Sequence, residues 1–284
     1  MVNIFLLLII VIFVSVQQVT KKAYNLKVVG GAMSFSAASC VAAVLVFLIT
    51  SGGKLNFSAE FLPYSLLFAL SYSVTVVTGM LAIMSGPLSL TCLVTSFSLI
   101  IPTVYGIIVL QEPVSTNLFI GLGLLAVALV LINLEEKGEK KITLKWAIYV
   151  ILAFVGNGMC STVQKVQQID LNGQYKSEFM IVALVISIVA MGIIALCAEK
   201  KQILPNLKAG FWLYTICGLA NGGANFLVIF LSSRMAASVM FPVISAGGIV
   251  LTFLISLFFY KEKLSKWQIL GSALGLVSVI FLNL

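Results

Sequence analysis

The chain has 284 residues, 61% of them hydrophobic and 9% charged, with a net charge of +8 and a mean hydropathy of +1.16. A soluble domain carries about a quarter charged residues, so this composition excludes a water-soluble globule and implies an integral membrane protein. Histidine is absent and Cys40, Cys92, Cys160, Cys197 and Cys217 have no CxxC spacing, so no metal, cofactor or redox pair is expected.

Ten stretches lack Asp, Glu, Lys and Arg: residues 2–20, 28–50, 61–84, 87–110, 116–134, 146–164, 179–198, 211–233, 235–259 and 267–284. Each approaches or exceeds the ~20 residues a helix needs to cross hydrocarbon, and in lipid a single segment satisfies its own backbone only as a helix. The predicted fold is therefore all-α and polytopic, with ten transmembrane helices. The first stretch has no basic residue before it and Lys21 and Lys22 after it, so it reads as a span rather than a cleavable signal. The fourth contains Pro102, which frees the carbonyl four residues earlier and bends its helix. After the fifth comes the longest polar segment, EEKGEKKITLK, residues 135–145. It divides the chain into halves at 1–134 and 146–284. In the tenth, Gly271 and Gly275 form a GxxxG pattern that packs span 10 on span 5 or on a second subunit of a homodimer.

The halves echo one another. With an offset of 150, residues 110–134 match 260–284 at seven of 25 positions, including Glu112 with Glu262, Ser115 with Ser265 and Gly121 with Gly271. Five spans per half is odd, so the second half enters the membrane from the opposite side, which predicts inverted repeats. Lysine placement agrees. One face collects 13 basic residues: Lys21, Lys22, Lys27, Lys137, Lys140, Lys141, Lys145, Lys200, Lys201, Lys208, Lys261, Lys263 and Lys266. The other has four: Lys54, Lys165, Lys176 and Arg234. By the positive-inside rule the first face is cytoplasmic and both termini point out. Trp146, Trp212 and Trp267 each open a span on that face, as an interfacial belt would.

Two five-span halves, each with a Glu-x-x-Ser hinge before its last helix (Gln111-Glu112-Pro113-Val114-Ser115 and Lys261-Glu262-Lys263-Leu264-Ser265), resemble the EamA-type branch of the drug/metabolite transporter superfamily. Phe241 to Leu284 also resembles the C-terminal half of small multidrug-resistance proteins. The resemblance implies a central cavity and transport of small organic molecules, usually export. It also implies cytoplasmic termini, where the lysine count places them outside. Small multidrug-resistance proteins carry a carboxylate in their first span; residues 2–20 contain none, so that mechanism does not transfer.

All nine acids lie in loops or at span ends, and the polar content of the spans is uncharged. The candidate substrate-binding residues are Gln18, Ser71, Tyr72, Thr75, Thr95, Ser98, Asn157, Ser161, Gln164, Asn221, Asn225 and Ser245. The offset pairs Ser71 with Asn221 and Thr75 with Asn225, each pair four apart on one helix face. Two readings fit these groups: a polar cavity, or hydrogen bonds that hold helices together. Glu112 and Glu262 are expected to cap the helices that follow them. Lys165 is expected either to snorkel or to meet an anion at a cavity mouth. The expected function is alternating-access movement of a small neutral or zwitterionic metabolite (an amino acid, sugar or nucleoside type) across a bacterial inner or plasma membrane, with export or exchange as the expected direction. The alternatives are a non-transporting membrane partner or a flippase subunit. Enzyme chemistry lacks its groups, and no nucleic-acid partner is expected.

Overall fold

A computed structural model describes residues 2–28, 30–85, 91, 94–95, 97–133, 143–259 and 265–282. Among them are ten α-helices: α1 (Val2–Lys27), α2 (Ala32–Thr50), α3 (Leu62–Ser85), α4 (Ile100–Ile108), α5 (Thr116–Asn133), α6 (Leu144–Asp170), α7 (Lys176–Ala198), α8 (Ile203–Ser232), α9 (Ala237–Phe259) and α10 (Lys266–Leu282). Six are long and apolar enough to cross a membrane: α1, α2, α3, α6, α7 and α8. The other four are shorter apolar segments.

The helix ends differ from the charge-free stretches. α1 runs through Lys21 and Lys22 to Lys27, α6 runs through Lys165 to Asp170, and α8 begins at Ile203 rather than 211. A charge on a long stem does not end a helix; it only requires a partner or water within reach. A 3-10 turn at Phe97–Leu99 precedes α4. Pro102 cannot return a bond to Ser98, so this turn falls where the sequence predicts a bend.

Side-chain oxygens start several helices. Ser115 accepts from the Leu118 amide and opens α5. Thr143 accepts from the Trp146 amide and opens α6. At α10, Ser265 and Gln268 exchange bonds with each other's amides, the reciprocal arrangement that satisfies two orphan donors.

α5 packs on α10, α3 on α6, α2 on both α7 and α8, α1 on α8 and α9, and α4 on α9 and α6. One apolar cluster joins Phe47, Phe61, Phe68, Phe179, Met180 and Ile229; another joins Leu7, Ile10, Leu231, Met240, Phe241 and Ile244. Lipid tails are as apolar as these side chains, so close packing rather than escape from water holds them together. The outer surface is itself apolar. Val185, Val189 and Ile193 form an exposed stripe down α7 at four-residue spacing, a face suited to lipid.

One expectation changes here and another is narrowed. Trp146 is buried, not at an interface, and its Nε1 donates to Thr91 Oγ1 at 2.9 Å. Trp212 and Trp267 are exposed as a belt requires. Gly271 is buried and Gly275 faces Ala128 of α5 and Val250 of α9, so of the two expected partners for the GxxxG face the structure shows span 5.

Candidate functional site

α6 is the hub. Asn157, Ser161 and Gln164 share one of its faces by spacing. Asn157 Nδ2 donates to Ser98 Oγ at 2.6 Å, reaching the turn before α4. Gln164 Nε2 donates to Asn225 Oδ1 at 2.6 Å, reaching α8. Asn225 Nδ2 in turn donates to Asn221 Oδ1 at 2.6 Å and to the Asn221 carbonyl at 2.8 Å. Three amides thus form one chain that lies about 10 Å (Gln164, Asn225) to about 16 Å (Asn221) from the C-terminal ends of α6 and α8, at 1.5 Å per residue. Two glycines admit the neighbours. A Cβ on Gly156 would meet Ser71 O at 2.8 Å, and one on Gly158 would meet Ser98 O at 2.7 Å. The Ser98 carbonyl, to which Pro102 cannot donate, therefore lies against α6.

The other candidates are placed apart. Ser71 is buried at the α3–α6 seam, and the Thr75 hydroxyl bonds back to the Ser71 carbonyl at 2.8 Å. Tyr72 stacks on Phe68 and its hydroxyl accepts from Cys40 Sγ at 3.7 Å. Thr95 bonds the Thr91 carbonyl. Ser245 borders a small space between α4, α5 and α9, also lined by Thr103 and Pro242, of about 50 Å³, room for a few waters at most. Gln18 is exposed on α1, and Ser161 is half-buried on the hub face.

The largest departure is at Glu112 and Lys165. Lys165 neither snorkels nor waits at an open mouth. It is 5% exposed, its Nζ donates to the Met235 carbonyl at 2.6 Å, and it lies 3.4 Å from Glu112 Oε1. Glu112 does cap a helix, but not the one that follows it: its oxygens accept from the Ala237 and Ser238 amides of α9 at 2.7 and 2.9 Å. Ser115 already serves α5, and the start of α9 offers free amides and a positive dipole end. Burial alone would raise the Glu112 pKa. The amides of Ser238 and Ala237, with the Lys165 charge, hold it below the ordinary 4.5. Glu262 lies outside the described residues. The charge criterion missed Lys165 by reading it as a span boundary. The signal was its spacing: Ser161, Gln164, Lys165 and Gln168 fall at i, i+3, i+4 and i+7, the pattern of a continuing helix.

Among solved structures, one crystal structure matches with a TM-score of 0.79 over 98% of this chain and 95% of its own, at 10% identity, which shows a shared fold. No curated protein matches the sequence. The model of the EamA-like transporter family matches residues 142–284. With that match covering α6 to α10 and the hub helix itself, the chain belongs to the EamA-like transporter family, within the drug/metabolite transporter superfamily, and is a multi-pass membrane protein.

Proposed function

We propose that the chain moves a small neutral or zwitterionic organic molecule across the membrane by alternating access between two inverted five-helix halves, α1–α5 and α6–α10. Inversion is supported by one kind of contact, made twice. Glu112, just past the end of α4, binds the first amides of α9. Glu199, just past the end of α7, binds the Met33 and Ser34 amides at the start of α2. Each joins the end of one helix to the beginning of its counterpart five positions away. Counterparts that ran in the same direction would have those ends on opposite sides of the bilayer. The packing agrees: the α3–α6 and α1–α8 contacts exchange when each helix is replaced by its counterpart, as do α2–α8 and α3–α7.

The observation that carries the function is the Gln164–Asn225–Asn221 chain. Uncharged amides inside a membrane protein are costly unless paired. These pair with one another, and a polar solute could replace those bonds one for one. Neutral amides also suit solutes without a strong net charge, whereas a bare divalent cation would call for carboxylates. Proteoliposomes containing only this chain should accumulate or release a labelled metabolite from a panel of amino acids, sugars and nucleosides, faster than protein-free vesicles. No flux for any of them, with folded protein in the vesicles, would favour the non-transporting partner. The lysine count places both termini outside. A C-terminal fluorescent protein that matures only in the cytosol should then stay dark, and bright cells would reverse the orientation.

A further inference from the structure

Four long polar side chains fill the last turns of α6. Gln164, Lys165, Gln167 and Gln168 are 3%, 5%, 0% and 1% exposed, although the helix ends at Asp170, where such side chains ordinarily reach water. Their partners converge from three turns. Glu112 comes from the turn after α4, the Met235 carbonyl from the turn before α9, and the Gln174 carbonyl from the turn before α7. Directly beneath this plug lies the amide chain, and the two are joined by adjacency: Gln164 holds Asn225 and the next residue holds Glu112.

We propose that the Glu112–Lys165 pair is a latch that closes one end of the transport path, parting and re-forming in each cycle. The proposal rests on the transporter reading above. Three features favour a latch over a static staple. First, the pair bridges the two halves that must move: Glu112 belongs to one, and Lys165 and the α9 amides belong to the other. Second, the closed arrangement is incompletely satisfied. Gln168 Oε1, one turn along α6 from Lys165, is buried without a hydrogen-bond partner. A permanent core pairs nearly all its buried polar atoms, whereas water entering an opened plug would satisfy this one. Third, the capped turn of α9 is partly uncoupled from the rest of its helix. Pro242 lies inside α9 and cannot return a bond to Ser238, so the turn that Glu112 grips can swing while the remainder of α9 stays packed. Lys165 is on this account a positioning residue. It acts on the solute through Gln164 and through closure.

The test needs no substrate. In nanodiscs, with the five native cysteines replaced by serine, spin labels at Val114→Cys and Asn172→Cys report the gap between the α4–α5 and α6–α7 turns; both positions are exposed. The otherwise unaltered chain should give a dominant short distance and a minor long one. Lys165→Met should raise the long population at least fivefold, and Lys165→Arg should return it toward the starting ratio. Glu112→Gln, which keeps one acceptor for the α9 amides, carries the same test if Lys165→Met does not fold. Unchanged distances in the variants would overturn the latch while leaving transport untouched. Failure of both variants to fold would make the pair a staple and overturn it equally. Shifted distances in a protein without any flux would leave the latch standing and remove the transporter reading.

Discussion

Asn225→Leu should reduce transport per folded molecule by roughly 100-fold, a loss of about 2.8 kcal/mol at 1.4 kcal/mol per tenfold. Leucine has the same branched shape and number of side-chain heavy atoms, only with bulkier methyl ends, so helix packing around position 225 is largely kept. What disappears is the middle of the amide chain. Asn225 accepts from Gln164 and donates twice to Asn221. Without it Gln164 Nε2 keeps only the weak sulfur acceptor of Met180 at 3.8 Å. Leaving a buried donor in that condition costs roughly 1–3 kcal/mol, so some thermal stability is lost as well. The two consequences separate in the measurement. If the chain is the solute site, flux normalised to folded protein collapses while the melting temperature falls by a few degrees. If the amides merely fasten α6 to α8, flux per folded molecule persists and the yield of folded protein is what suffers.

The amphipathic logic of soluble proteins offers little here, yet much of this architecture was legible. Charge-free stretches of spanning length locate the ten helices, because lipid tolerates few alternatives. Glu112 and Ser115 identify a hinge, and the spacing of Asn221 and Asn225 puts two amides on one face. Residue identity does not say who faces whom. Ser71 and Thr75 occupy positions that correspond to the asparagines, but Thr75 turns its hydroxyl to its own backbone and Gly156 fills the space opposite. Gln18 belongs to the right helix and stands on an exposed face. The buried ion pair was hidden for a different reason. A lysine near a span end is normally read as the boundary of the membrane, and only a carboxylate arriving from 53 positions away, at Glu112, makes Lys165 an interior residue. Long-range electrostatic complementarity of this kind has no local signature.

Gly218→Val should be the most destabilising single change in the bundle, at about 3–5 kcal/mol, seen as loss of monodisperse protein or a large fall in melting temperature. At this position α8 rests against α2. An added Cβ would press into the Ser39 carbonyl oxygen and lie 2.6 Å from Ala42 Cβ. One turn along the same seam, a Cβ on Gly222 would meet the Ala43 carbonyl at 2.9 Å and Val46 Cβ at 2.8 Å. Overpacking a core typically costs about 1–3 kcal/mol because side chains can shift. Here the obstacle is backbone, so the helices themselves must separate. They would forfeit contacts along their length, since small residues are what allow helices in lipid to approach. Gly192→Val is the control. A Cβ there meets nothing within 4 Å, and the substitution should leave the melting temperature within a few degrees. Equal losses at both glycines would mean that backbone flexibility, not close approach, is what position 218 provides. A seam this tight also bears on mechanism. α2 and α8 come from different halves but cannot slide past one another without the clashes that valine would introduce. On the proposed alternating-access reading, the motion that exposes the amide chain would be carried where the contacts are polar and breakable, at the meeting of α4, α6 and α9.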